Sequence, residues 1–317
     1  MSITRCLSAI TLLAGLTACH LPLTQTVQTD EPTEASAEAA AAPPETDIHI
    51  GTLSWDETRL DLKDVRPLAT SAGYENQPAF VPGGEALYYV AAGPTGKTDI
   101  WHRALTADTP TQITNSPGRS EYSPRQMSDQ QAISFIHETP SGDLTYVHKL
   151  QEDAETSVID LNPVGYYAFL NAGTAVLVFF RSEPATLIRV DIASGASEQI
   201  AENIGRALYA PLNNEIAFYT TTNEDETYQV HRYDDKTRSS TFLFELVGQS
   251  QDYAVFKLPD QDAFGFLSAD GTVLYYRTDR PQDTWQKVAD LTGANIGKIS
   301  RLAINDQLDR LALVTEP

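Results

Sequence analysis

Apolar and polar positions alternate along most of this chain, and the alternation is punctuated at a regular interval. Six times a turn-forming residue is followed by apolar residues five and seven positions later. The first copy is QPAFVPGGEALYYV, residues 77–90, with its turn at Pro82 and its apolar pair at Leu87 and Tyr89. The next copies join Ser128 to Ile133 and Phe135, Asn171 to Val176 and Val178, and Pro211 to Ile216 and Phe218. Then come Pro259 with Phe264 and Phe266, and Asp306 with Leu311 and Leu313. Successive turns lie 46, 43, 40, 48 and 47 residues apart. Apolar residues spaced by two mark one face of a strand. Short strands recurring at about 40–50 residues predict a β-propeller, one blade per repeat.

Each repeat also supplies two more strands. Residues 98–105, 144–150, 185–192, 227–234 and 272–277 read as third strands, and 111–114, 156–161, 198–201, 241–246 and 285–289 as fourth strands. The last hairpin, ending at Val314, has no such followers. Two strand-like segments stand instead ahead of the first repeat, at 47–53 and 60–68. The pattern therefore predicts an all-β, six-bladed propeller over 47–317. Its sixth blade takes inner strands from the C-terminus and outer strands from the N-terminus, which removes two exposed sheet edges.

The first 46 residues have a different character. Arg5 precedes an apolar run, 7–16, too short to span a bilayer, so residues 1–18 read as a signal peptide. The run ends Leu16-Thr17-Ala18-Cys19, which resembles the bacterial lipobox. That resemblance implies cleavage before Cys19 and attachment of acyl chains to it, each buried CH₂ contributing about 0.8 kcal/mol of anchoring. Cys6 lies within the signal, so the processed chain would hold a single Cys and no disulfide. His20 stands where an Asp would signal inner-membrane retention, which points to the outer membrane and a periplasm-facing domain. Residues 19–46 are acidic, rich in Ala and Pro and free of aromatics, the composition of a disordered tether.

Charge narrows the partners. Lys and Arg number 22 against 43 Asp and Glu, a formal net charge of −21. Nucleic acid requires clustered bases to neutralise phosphates, and that class is excluded. Anionic lipid is repelled too, so contact with a membrane falls to the anchor. A monomer is expected.

Residues 77–90 followed by TDIWHRAL resemble the TolB-type, WD40-like propeller repeat, whose hairpin reads roughly P-x-F-S-P-D-G and whose third strand begins D-I. Pro78, Phe80, Pro82, Gly84, Asp99 and Ile100 match, while Val81 and Gly83 replace the usual Ser and Asp. The second copy keeps Tyr122-Ser123-Pro124 with Ser128-Asp129, and the fourth to sixth keep only turn and apolar pair. The resemblance implies the propeller fold, while TolB's partnership with the peptidoglycan-associated lipoprotein does not carry over by residue; the partner expected here is an envelope protein or peptide. The separate α/β domain that precedes the propeller in TolB is not matched.

Little in the chain suggests chemistry. No G-x-S-x-G elbow, Walker loop or dinucleotide fingerprint occurs. His49, His102, His148 and His231 all fall on third strands, so they are expected far apart around the rim, in polar contacts between blades. Metal ligands must converge on bonds of about 2.0–2.3 Å, and neither a metal nor a cofactor is expected. The acidic stretches Glu224-Asp225-Glu226 and Asp260-Gln261-Asp262 lack the alternating ligands and Gly turn of a calcium loop. Tyr74, Tyr88, Tyr166, Tyr209 and Tyr253 lie near hairpins, to pack between blades or face a channel mouth. The expected inner strands, near 77–81, 122–126, 166–170, 206–210, 253–257 and 299–304, carry four bases: Arg125, Arg206, Lys257 and Arg301. Bases lining the axis of an acidic protein suit an anionic ligand. Two function classes follow: a non-catalytic scaffold that binds a protein or peptide, or a lyase or hydrolase acting on sugars or esters in the central channel.

Overall fold

The computed structural model describes residues 44–55, 59–127, 132–141, 145–151, 154–211, 215–259 and 261–317. Cys19, the signal, nearly all of the tether, and the repeat residues Ser128, Asp129 and Asp260 lie outside the described residues. The first two strands, β1 (Asp47–Trp55) and β2 (Leu60–Ala69), pair with each other and then with the far end of the chain. Between them and that end stand five four-stranded antiparallel sheets. Blade 1 is β3 (Glu75–Phe80), β4 (Ala86–Ala92), β5 (Thr98–Ala104) and β6 (Thr111–Gln112). Blade 2 is β7 (Glu121–Gln126), β8 (Ala132–Glu138), β9 (Thr145–Gln151) and β10 (Ala154–Ser157). Blade 3 is β11 (Val164–Leu170), β12 (Ala175–Phe180), β13 (Thr186–Asp191) and β14 (Ser197–Glu202). Blade 4 is β15 (Ile204–Tyr209), β16 (Ile216–Thr222), β17 (Tyr228–Asp234) and β18 (Ser239–Glu245). Blade 5 is β19 (Tyr253–Lys257), β20 (Phe264–Asp270), β21 (Val273–Thr278) and β22 (Gln286–Asp290). Blade 6 sets β23 (Lys298–Ile304) beside β24 (Arg310–Glu316), then β1, then β2. β1 and β24 stay in register from Asp47 opposite Thr315 to Thr52 opposite Arg310. The chain is a six-bladed propeller closed by its N-terminal strands, as the repeat predicts.

Closure begins before β1. Thr46, the last residue of the segment read as a tether, is buried. Its N–H donates to the Gly73 carbonyl and its own carbonyl accepts from the Glu75 N–H, both at 3.0 Å. Its hydroxyl donates to the Glu75 carbonyl at 2.9 Å.

Burial changes systematically across each blade. Second strands such as β8, β12, β20 and β24 have a neighbouring blade on both faces, so they are largely buried and mainly apolar. Fourth strands such as β14 and β18 are largely exposed and read as polar sequence. Among the described residues the apolar core divides into six clusters, one at each seam of the ring. Ile48, Ile50 and Val314 of blade 6 pack on Leu87 and Tyr89 of blade 1. On the other side, Leu53, Leu60 and Leu311 pack on Leu267 and Leu274 of blade 5.

One repeat departs from the predicted register. In the other five copies the apolar pair faces the preceding blade. In blade 4 the residues that do so are Ala217 and Tyr219, whereas Phe218 faces blade 5. The pair Ile216 and Phe218 is thus displaced by one position, and a one-residue shift in a strand exchanges its faces.

The turn motif has its own physical reason. Gly84 has φ +70, and a Cβ there would overlap Asn305 and Gln307 of blade 6. The Gly83 N–H donates to Asp306 Oδ2 at 3.0 Å. Glycine lets the blade 1 turn lie against the blade 6 turn at the channel rim.

Candidate functional site

The six inner strands surround the axis and leave a cavity of about 440 Å³. Its lining runs from mid-strand to the first hairpin turns, including Pro82, Met127, Pro211 and Asp306, so it is a funnel open at that end. Phe80, Phe169, Val255, Phe256 and Ile304 contribute apolar surface to its wall, and polar surface makes up nearly as much of it. Gln77, Ser123, Tyr166, Tyr209 and Arg301 bring polar groups to its inner end. Among the described lining residues Asp306 is the single carboxylate, and none is a histidine.

Two strained residues shape the polar end. Gln77 (φ 56) and Ser123 (φ 53) occupy the left-handed region, each immediately before a proline, Pro78 and Pro124. Each sits where its inner strand slips register against the next strand. A non-glycine residue in this conformation costs about 1–2 kcal/mol, and such strain collects at functional sites. The bulges are tied together across the seam. Gln77 Oε1 accepts from the Ser123 N–H at 2.5 Å and lies 3.1 Å from its hydroxyl. The Tyr167 hydroxyl donates to the Ser123 carbonyl at 3.0 Å, which joins blade 3 to the set.

The four bases expected in the channel have different fates. Arg125, Lys257 and Arg301 line the funnel, whereas Arg206 is not among its lining residues. Arg206 Nη2 donates to the Ser300 carbonyl at 2.6 Å, and its Nε is 3.9 Å from Asp252 Oδ2. Arg301 Nη1 faces the same oxygen at 3.7 Å, and its Nη2 is 3.2 Å from the Tyr166 hydroxyl oxygen. Asp252, 2% exposed, therefore stands between two guanidiniums. Its Oδ1 accepts from the Tyr209 hydroxyl at 2.7 Å. Burial pushes this carboxyl above its ordinary value against the pull of Arg301 and Arg206. Burial alone would depress Arg301, but Tyr166, Asp252 and Tyr209 outweigh it and hold the guanidinium charged. Lys257 pairs at 3.0 Å with Asp262, a fully exposed carboxylate, and lies over the Phe264 ring. Exposed pairs of this kind contribute little.

Arg125 differs from the other three. Its guanidinium lies 5.9 Å from the ring centres of both Tyr167 and Tyr209. Its Nε is buried with no hydrogen-bond partner among the described residues. Cation–π contact stabilises the charge without neutralising it. Arg125 is a cation held in place with no acid partner among the described residues.

The tyrosines divide as their positions allow. Tyr166 and Tyr209 face the funnel, while Tyr253 is wholly buried beside Tyr209. Tyr74 accepts from Gln77 Nε2 at 3.2 Å, and burial pushes its hydroxyl up to about 12. Tyr88 packs on His102 and donates to Gln126. Each of the third-strand histidines has a partner within its own blade. His49 is 3.4 Å from Thr315, His102 lies against Tyr88, and His231 stacks on Tyr219. His148 alone of the four meets another histidine, His137 of β8, which the pattern of third strands did not single out. Asp252 was likewise missed, because it stands just before an inner strand. The paired X-Pro steps at Gln77 and Ser123 were the visible signal of the funnel's polar end. Glu224, Asp225 and Glu226 form an exposed turn closed by Asn223 Oδ1, which accepts from the Asp225 and Thr227 N–H groups.

At the level of sequence, no family model and no curated protein matches the chain. Among solved structures it is similar to a putative TolB from Agrobacterium tumefaciens, at 12% identity and TM-score 0.61. The match covers 86% of this chain and 99% of that one. It is also similar to TolB from Acinetobacter baumannii, at 12% identity and TM-score 0.55, over 84% of this chain and 63% of that one. This chain therefore spans under two thirds of the A. baumannii protein. At such identity the likeness shows architecture alone: the chain is a six-bladed β-propeller similar in fold to the TolB proteins.

Proposed function

We propose that this protein is a non-catalytic binding scaffold of the bacterial cell envelope. Its funnel receives an anionic segment of a protein or peptide. The observation that carries the reading is Arg125, a positioned cation without an acid partner among the described residues, in a cavity whose wall mixes apolar and polar surface. A segment bearing one carboxylate would supply what Arg125 lacks and cover the apolar part of the wall. Arg301 and Lys257 add weaker attraction, since Asp252 and Asp262 already balance them. Arg206 acts through Asp252 and not in the cavity. The similarity in fold to TolB proteins supports a propeller with a protein-binding role. The lipobox-like Leu16-Thr17-Ala18-Cys19 supports a lipid anchor at Cys19 and a periplasm-facing domain at the outer membrane.

The test is affinity capture with crosslinking from detergent-solubilised envelopes, using the native chain and Arg125→Glu. Loss of a charge-assisted contact costs about 1.5–3 kcal/mol, so capture should weaken about tenfold or more and should fall with added salt. Undiminished capture by Arg125→Glu would refute the funnel as the binding surface. Cys19→Ser should release the protein from the membrane fraction or leave its signal uncleaved. Unchanged partitioning of that variant would refute the anchor.

A further inference from the structure

The seam between blades 1 and 2 is built differently from the other five. Its apolar cluster holds four buried residues, Val90, Ile100, Ile133 and Phe135, fewer than any other seam. That face of blade 2 also carries a set of ionisable residues. Glu121 of β7 is opposite His137 of β8, and His137 is opposite position 146 on β9, two residues from His148. His148 is in turn opposite Ser157 on β10, two residues from Glu155. A period of two puts all four side chains on one face, one from each strand.

Their geometry converges on Glu155. Its Oε1 lies 2.5 Å from His137 Nδ1 and 2.7 Å from His148 Nδ1, with the two rings stacked at 4.4 Å. Its Oε2 accepts from Arg119 Nη2 at 2.7 Å, and Arg119 Nε donates to Glu121 Oε1 at 3.2 Å. One donor atom from each of His137, His148 and Glu155 falls within 4.8 Å of the others. No other group of three such residues does so among the described residues.

We propose that His137, His148 and Glu155 form a binding site for one divalent transition-metal ion of the zinc class. Two imidazoles and one carboxylate are a donor set that suits zinc, whereas calcium and magnesium favour oxygen alone. Bonds of about 2.0–2.2 Å put neighbouring donors of a tetrahedral ion roughly 3.3 Å apart. Glu155 Oε1 stands closer than that to both imidazoles, so the ion enters by a small outward swing of Glu155. That residue is partly exposed, on a strand of four residues at the outer edge of the blade. Arg119 does not compete for the ion. It holds Oε2 and leaves Oε1 for the metal, and Glu121 orients Arg119 in turn, the layered support that metal ligands commonly have. Three protein ligands leave a fourth position for water. The ion would bind β8, β9 and β10 together where the seam has least apolar packing.

The test uses the full-length chain, stripped with chelator and titrated with Zn²⁺ by calorimetry and with Co²⁺ by visible absorbance. One ion per chain should bind, and the thermal midpoint should rise with Zn²⁺ concentration. The Co²⁺ spectrum should lack the thiolate charge-transfer bands that Cys6 or Cys19 would produce. His148→Ala and Glu155→Gln should each weaken binding at least about tenfold. Glu155→Gln keeps the side-chain shape, so it reports on ligation if His148→Ala disturbs the fold. Absence of saturable binding, a thiolate spectrum, or affinity unchanged in both variants would overturn the site.

Discussion

The propeller's stability should depend on strands at opposite ends of the chain, and Ile48→Ala measures that dependence. Ile48 is fully buried on β1, against Leu87 and Tyr89 of blade 1 and beside Val314 of β24. Truncating a fully buried Ile costs about 2–5 kcal/mol, depending on how far the cavity relaxes. For a chain of this size each kcal/mol lowers the thermal midpoint by about 2–4 °C, so a fall of about 4–20 °C is expected. Leu177→Ala, at a fully buried site on β12 in the middle of the chain, is the internal standard and should cost a similar amount. A chain beginning at residue 70 loses six large buried aliphatic residues: Ile48, Ile50, Leu53, Leu60, Leu62 and Leu68. At about 1.5–3 kcal/mol each the loss is of order 10 kcal/mol, comparable with the whole stability of a typical domain. It also leaves β24 with an unpaired edge, so this chain should aggregate. Removing residues 20–43, whose composition offers no core, should leave the midpoint unchanged. Denaturant and thermal unfolding of the four variants decide the matter. An Ile48→Ala midpoint within a degree of the native chain, beside a large effect of Leu177→Ala, would refute closure by β1.

Two other predictions probe the polar interior. Asp252→Ala leaves Arg206 and Arg301 facing each other without their shared carboxylate. Breaking a buried ionic group costs about 3–5 kcal/mol, so the thermal midpoint should fall well over 5 °C; a midpoint unchanged by the substitution would mean Asp252 does not balance them. Glu75 is buried, and burial, with Asp47 adding to it and Ser71 opposing, pushes its carboxyl from 4.5 up to about 7. The folded state thus holds this proton more tightly than the unfolded chain does. That stabilisation is complete below about pH 4.5 and is lost as pH rises through about 7. Glu75→Gln should therefore raise the thermal midpoint relative to the native chain at pH 8 and change it little at pH 4. An equal shift at both pH values would rule out the titration of Glu75 as the cause.

How much of this was legible in the sequence follows from where each residue is buried. Second strands have a blade on both sides, so Leu87 and Tyr89, or Leu311 and Leu313, must be apolar, and their recurrence is visible without a structure. Fourth strands face solvent and carry no such constraint. β10 accordingly begins at Ala154, two residues before the predicted segment, and the predicted 111–114 strand shrinks to Thr111–Gln112. Alternation also cannot tell which of two apolar faces meets which neighbour. In blade 4 both Phe218 and Tyr219 are large and buried, and only packing decides that Tyr219 faces blade 3.

The candidate sites mark the same division more sharply. Inner strands could be placed from the repeat, and with them Arg125, Lys257 and Arg301 near the axis. Whether a base is free or neutralised depends on a partner far away in sequence, and Asp252 lies 46 residues from Arg206 and 49 from Arg301. The polar seam is a similar case. His137, His148 and Glu155 come from three strands, and they meet only because the sheet register sets them diagonally on one face. Local periodicity determined the number of blades and the strands that build them, because apolar burial acts on each strand separately. Which charges balance, which remain available and which donors converge was decided by tertiary structure, because electrostatics and ligation act across space between residues that the chain keeps apart.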